Sequence, residues 1–284
     1  MDDVTFSWNL LADVQQMWAF PFMVNAFRAG AVVAVLAGLV GWFVVLRRQT
    51  FAGHTLAVVG FPGAAGAVLL GVSATYGMFA FAVGAAVLIG LVSRGGQARG
   101  YSEESAVTGT VQALALACGF VFLSLSGGFL GGTQALLFGS FLGITEGQVR
   151  LLLAVAVAAV AVLAVIARPL LFASVDPDVA AARGVPVRAL GVAFLVLLGA
   201  CAAEVSQITG ALLVFALLVV PAAAARNWTS RPLAGLVLTV AVGLTVTWLS
   251  LLVAYYSPYP IGFFLTSFAF AVYLVSVLAR RVMT

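Results

Sequence analysis

Few residues in this chain can do chemistry, and where they stand narrows what that chemistry is. The 284 residues hold one histidine, two cysteines and nine acidic side chains. The histidine lies in Arg47-Arg48-Gln49-Thr50-Phe51-Ala52-Gly53-His54-Thr55-Leu56, where a polar stretch enters an apolar run. An ionisable group at membrane depth marks a transport path or a hydrogen bond between helices. Both readings of His54 stand on the sequence. Glu204 is the one carboxylate well inside an apolar run, and an unpaired charge there is costly. It must face a partner or a water-filled cavity. Asp176 and Asp178 could be taken for a carboxylate pair. The order Asp176-Pro177, then Gly184, instead reads as the N-cap, first turn and end of a short helix. Cys118 and Cys201 sit singly in apolar runs, without metal-ligand spacing, and read as small buried residues. No Ser/His/Asp set, HExxH or phosphate-binding loop is present, so neither catalysis nor ATP hydrolysis is expected of this chain, and no cofactor is expected.

The elements that position these groups are hydrophobic helices. Hydrophobic residues make up 64% of the chain and charged residues 8%, against about 25% charged in soluble domains. The apolar runs are continuous rather than alternating, which selects helices over a β-barrel. The fold class is therefore all-α, a polytopic transmembrane bundle. About nine spans are predicted, near 21–46, 56–72, 76–93, 106–124, 149–167, 189–206, 208–225, 233–254 and 260–279. The count falls to eight if one short segment is re-entrant. Residues 1–20, with Trp8, Leu10, Leu11, Val14 and Trp18, suit an amphipathic segment on the outer surface, and 21–281 form a single transmembrane domain. Pro221 near the inner end of the seventh run can kink it.

All thirteen basic residues are arginines, and they set the orientation. With the N-terminus outside, Arg47, Arg48, Arg94, Arg99, Arg168, Arg183, Arg188, Arg226, Arg231, Arg280 and Arg281 all lie on the cytoplasmic side, as does the 94–105 loop. Only Arg28 and Arg150 fall near the outer side. The net charge of +4 forms no continuous basic face, which excludes a nucleic-acid partner and leaves the lipid bilayer as the surroundings.

Four stretches, in order, resemble the membrane subunits of bacterial ABC importers for zinc, manganese and related divalent metals. Leu46 through Pro62-Gly63 resembles the family pattern LRR.S..GDALSHA.LPG. Leu137-Phe138-Gly139-Ser140-Phe141-Leu142-Gly143 resembles LFGSILG. Val175-Asp176-Pro177-Asp178 through Gly184, Pro186 and Val187 resembles FDPE.A...G.PV. Thr209-Gly210 through Pro221-Ala222-Ala223-Ala224-Ala225 resembles VG.LLV.ALLV.PAA.A. The resemblance covers residues 21–280. It implies a permease in the bacterial plasma membrane that works as a homodimer. A separate cytoplasmic ATPase subunit and an extracytoplasmic substrate-binding protein would be its partners. It also implies metal contact at the positions of the family's Asp and His, which are His54 and Val58 here: one changed in type, one lost. With Glu204, His54 is thus a candidate metal-contacting residue. The ATPase is expected on the turn holding Asn227, Trp228 and Arg231, with the 169–188 loop, including Asp176 and Arg183, as a second contact. The alternative is an ion-coupled secondary transporter, in which Glu204 alone would carry the coupling.

Overall fold

The computed structural model describes residues 15–93, 101–126, 143–211 and 213–283. The outer segment at 1–14, most of the 94–105 loop and the 137–142 stretch lie outside the described residues. Every element is a helix: α1 Pro21–Leu46, α2 Thr50–Leu69, α3 Ala74–Val92, α4 Tyr101–Leu125, α5 Glu146–Val175, α6 Pro177–Ala182, α7 Val187–Thr209, α8 Val214–Leu218, α9 Val220–Trp228, α10 Pro232–Tyr255 and α11 Ile261–Met283. Eight of these are long and apolar enough to cross a bilayer.

Local chemistry explains the ends. Pro21 opens α1 at a position where its missing N–H costs nothing. Thr145 and Gln148 close a reciprocal capping box at the start of α5: Gln148 N–H donates to Thr145 Oγ1 (3.3 Å) and Thr145 N–H donates to Gln148 Oε1 (2.9 Å). Asp176 caps α6, its carboxylate accepting from Val179 N–H at 3.0 Å. Gly184 follows with φ +81°. The short capped helix read from the sequence is therefore present. The 169–188 stretch is otherwise not the loop expected, because α5 continues through Pro169 to Val175. Helices tolerate proline at membrane depth when neighbours compensate for the lost hydrogen bond.

The seventh passage is the main departure from a simple bundle. It is not one helix over 208–225. The chain leaves α7 at Gly210 with φ +78° and ψ 152°, a conformation that favours glycine. It then forms α8, breaks again at Val219 and resumes as α9, with Pro221 in the first turn of α9. Irregular backbone at this depth survives only where protein surrounds it. Here α8 is enclosed by α1, α2, α7 and α11. Eight long helices plus this broken passage reconcile the two counts expected from the sequence.

Helices α1, α2 and α7 form the buried centre, and α4 the least buried rim. Glycines permit the closest approaches. A Cβ on Gly63 or Gly77 would collide with the other's carbonyl oxygen where α2 crosses α3.

Direct contacts tie several of the arginines down at one end. Arg226 Nη1 donates to the Val45 carbonyl (3.0 Å), Arg188 Nη2 to the Leu91 carbonyl (3.5 Å), and Arg280 Nη1 to Asn227 Oδ1 (3.3 Å). At the opposite end Asn25 Nδ2 donates to the Ile144 carbonyl (3.2 Å) and Thr75 Oγ1 to Gln207 Oε1 (3.5 Å). The positive-inside rule makes the arginine end cytoplasmic. A cysteine at Ala182 is then expected to react with a membrane-impermeant maleimide only after permeabilisation, and one at Ser73 to react in intact cells. The reverse pattern would invert the topology.

Candidate functional site

His54 stands in the second turn of α2, near the cytoplasmic end. Its ring is half-buried and meets Phe215 of α8 edge-on, with centroids 6.2 Å apart and planes at 83°. Next to it, a Cβ on Gly53 would come within 3.2 Å of Leu218 Cδ2, so this face of α2 lies against the broken passage. Val58 follows one turn further on, 6% exposed.

Glu204 is fully buried in α7, and neither carboxylate oxygen has a hydrogen-bond partner. One turn along the same helix, Gln207 uses its oxygen to accept from Thr75 and leaves its Nε2 unpaired. The nearby hydroxyls turn back on their own helix. Ser206 Oγ donates to the Ala203 carbonyl (2.9 Å) and Thr209 Oγ1 to the Val205 carbonyl (3.1 Å).

Helices α2 and α7 run parallel and in register. Gly53 lies beside Leu198 (3.8 Å) and Gly60 beside Ser206 (3.7 Å), offsets of 145 and 146 residues. By that register Glu204 is level with residues 58–59. His54 lies about 7 Å nearer the cytoplasmic end, at 1.5 Å per residue. The two candidate metal residues thus occupy successive depths rather than one cluster. Among the described residues no three His, Cys, Asp or Glu side chains come together as a ligand set.

Below His54, a polar network closes the cytoplasmic end. Arg47 Nε donates to Gln49 Oε1 (3.0 Å), Arg47 Nη1 to Ser174 Oγ (3.2 Å), and Gln49 Nε2 to Glu104 Oε1 (2.9 Å). The Arg47 guanidinium also lies 5.4 Å from the centre of the Phe194 ring. This network joins the ends of α1, α2, α4 and α5 and reaches Phe194 two turns inside α7. The sequence marks Arg47 for topology and as part of the stretch leading to His54, without showing these partners. A signal was available in Gln49 and Glu104, polar residues bordering apolar runs.

The comparisons decide the family. A model of the ABC 3 transport family matches residues 19–280. The chain belongs to the ABC 3 transport family. As a family member it is a non-catalytic, multi-pass membrane subunit of an ABC-type transporter in the bacterial plasma membrane, and the secondary-transporter alternative falls. It is similar to a manganese transport system membrane protein, MntC, of Halalkalibacterium halodurans, 28% identical over 78% of this chain and 75% of that protein. A chelated iron transport system membrane protein, YfeC, of Yersinia pestis is 28% identical over 80% of this chain and 76% of its own length. The solved PsaBC from Streptococcus pneumoniae in complex with Fab shares the fold, with a TM-score of 0.82 over 94% of this chain and 95% of that one at 24% identity.

Within this ABC 3 family chain, the residues expected at the ATPase contact divide into two kinds. Asn227 is engaged internally: its Nδ2 donates to Ser276 Oγ (2.9 Å) and its Oδ1 accepts from Arg280, tying α9 to α11. Trp228 is half-buried at the end of α9, and Arg231 is exposed as the N-cap residue of α10. Asp176 and Arg183 are exposed at the two ends of α6.

Proposed function

We propose that this chain is the permease of an importer for a divalent transition metal of the manganese–zinc class. It pairs with a second copy, a cytoplasmic ATPase subunit and an outer substrate-binding protein. Family membership over nearly the whole chain carries this reading, and relatives whose names give manganese and chelated iron support a transition-metal substrate. His54, against the broken passage, and Glu204, buried at a different depth in α7, are the proposed metal-contacting residues. The exposed turn at Trp228 and Arg231 is the proposed ATPase contact, and α6 with Asp176 and Arg183 a second one. Metal uptake by cells with and without the chain, across manganese, zinc and iron, tests the reading. Uptake of all three that ignores the chain's presence would end it.

His54 shapes selectivity in this proposal. An imidazole suits zinc better than harder, oxygen-preferring ions. Uptake is expected to favour zinc over manganese, and His54→Ala to lower it about tenfold without loss of membrane insertion. His54→Asp is expected to retain uptake and shift preference toward manganese. If both variants carry zinc as the parent does, His54 only packs against Phe215.

A further inference from the structure

One turn from Glu204, toward the cytoplasm, α7 carries Cys201. The two residues are three apart on one helix, which places their Cβ atoms about 5–6 Å apart on a shared face. Both are fully buried, and the thiol is free of any disulfide. Two polar groups line this stretch of α7 without complete partners, the Glu204 carboxylate with both its oxygens and Gln207 Nε2 one turn beyond, and the Cys201 thiol lies one turn before them. Native interiors rarely leave such groups unmatched, because an unpaired buried carboxylate is among the most costly groups to hold away from water. Ser206 and Thr209 are committed to helix carbonyls. The arginines of the cytoplasmic cluster are held at the helix ends, bonded to Ser174, Leu91, Val45 and Asn227. At the depth of Glu204, the facing register position on α2 is Val58, which has no ligand atom.

We propose that Cys201 and Glu204 form a two-ligand transit site for a borderline or soft divalent metal, with zinc or cadmium as its characteristic ions. The site rests on the metal-importer reading and places sulfur and oxygen donors above His54 along the same route. Binding gives a metal–thiolate bond and a metal–carboxylate bond. Any proton held on either group leaves to water in the opened pathway, and the metal stays divalent throughout. Two protein ligands leave the remaining coordination positions to water. That suits an ion that must be released onward, since conduction requires binding weak enough to leave. Thiolate selects zinc and cadmium over manganese, whereas the carboxylate serves all three.

The test uses the complete transporter in cells, with zinc, cadmium and manganese as probe ions and uptake normalised to the chain's membrane level. Cys201→Ser is expected to cut zinc and cadmium uptake about fivefold or more and to change manganese uptake less than about twofold. Glu204→Gln is expected to cut uptake of all three about tenfold or more, and Glu204→Asp, which keeps the carboxylate, to restore much of it. Cys118→Ser, outside the pair, is expected to leave uptake unchanged. A parent that carries zinc or cadmium, with Cys201→Ser carrying them equally well, overturns the pair while the importer reading stands. A parent that carries manganese alone overturns the pair as well. A parent that carries no divalent metal removes the importer reading and the pair with it. Should Glu204→Gln fail to reach the membrane, the metal-selective loss in Cys201→Ser decides by itself.

Discussion

Trp228→Ala or Arg231→Glu is expected to abolish transport while the permease remains inserted and folded. Trp228 ends α9 and Arg231 caps α10, and between them the chain turns at the cytoplasmic end with Ser230 and Arg231 exposed. Helix α9 packs on both α10 and α11, so the turn stands on a braced support. Tryptophan and arginine dominate binding energy at protein interfaces, each contributing about 2 kcal/mol or more, roughly thirtyfold in affinity. Copurification of the ATPase with each variant is the measurement, read beside uptake. Normal copurification and normal uptake in both variants would remove the turn from the interface. Asn227→Ala is expected to behave differently, lowering thermal stability, because its side chain bridges Ser276 and Arg280.

Gly41→Ala is expected to be the most damaging glycine-to-alanine change among the described residues. A Cβ at this point of α1 would collide with the Leu218 carbonyl oxygen at the end of α8. The obstacle is backbone, not a flexible side-chain tip, and α8 is enclosed on its other sides by α2, α7 and α11. Neither helix can withdraw without opening the broken passage, so a cost of about 3 kcal/mol or more is expected, at the upper end for overpacking. Gly84→Ala is the control, since nothing lies within 4 Å of a Cβ there and alanine favours a helix by about 1 kcal/mol. Thermal unfolding in detergent should place Gly41→Ala well below the parent and Gly84→Ala at or above it. Equal melting temperatures for the two variants would mean that α1 and α8 do not touch as described.

The sequence by itself determined that this chain resides in a membrane, at which ends its arginines gather, and what family it resembles. Hydropathy adds along the chain, so a run such as Pro21–Leu46 declares a spanning helix without reference to any other residue. Arginine asymmetry is equally local, because each guanidinium is kept from crossing by its own cost in hydrocarbon. The cap at Asp176 was legible for the same reason: donor and acceptor lie three residues apart. The boundaries of α2 and α5 were less legible, since His54 and Pro169 look like interruptions until neighbouring helices are in place to accommodate them.

Only the tertiary structure decided how the candidate residues stand to one another. The break in the seventh passage was hinted at by Gly210 and Pro221, yet irregular backbone at that depth is stable only because α1, α2, α7 and α11 enclose it. The register that sets Glu204 level with Val58, and His54 nearer the cytoplasm, depends on Gly53 and Gly60 meeting Leu198 and Ser206. Those pairs are some 145 residues apart in the chain. The Arg47 network likewise joins residues of five helices whose sequence spacing carries no trace of the meeting. Insertion depends on each segment's own transfer free energy from water to lipid, which composition records. Packing within the membrane depends on shape at remote contacts, chiefly where glycine lets backbones approach, and no local pattern encodes which glycine meets which partner.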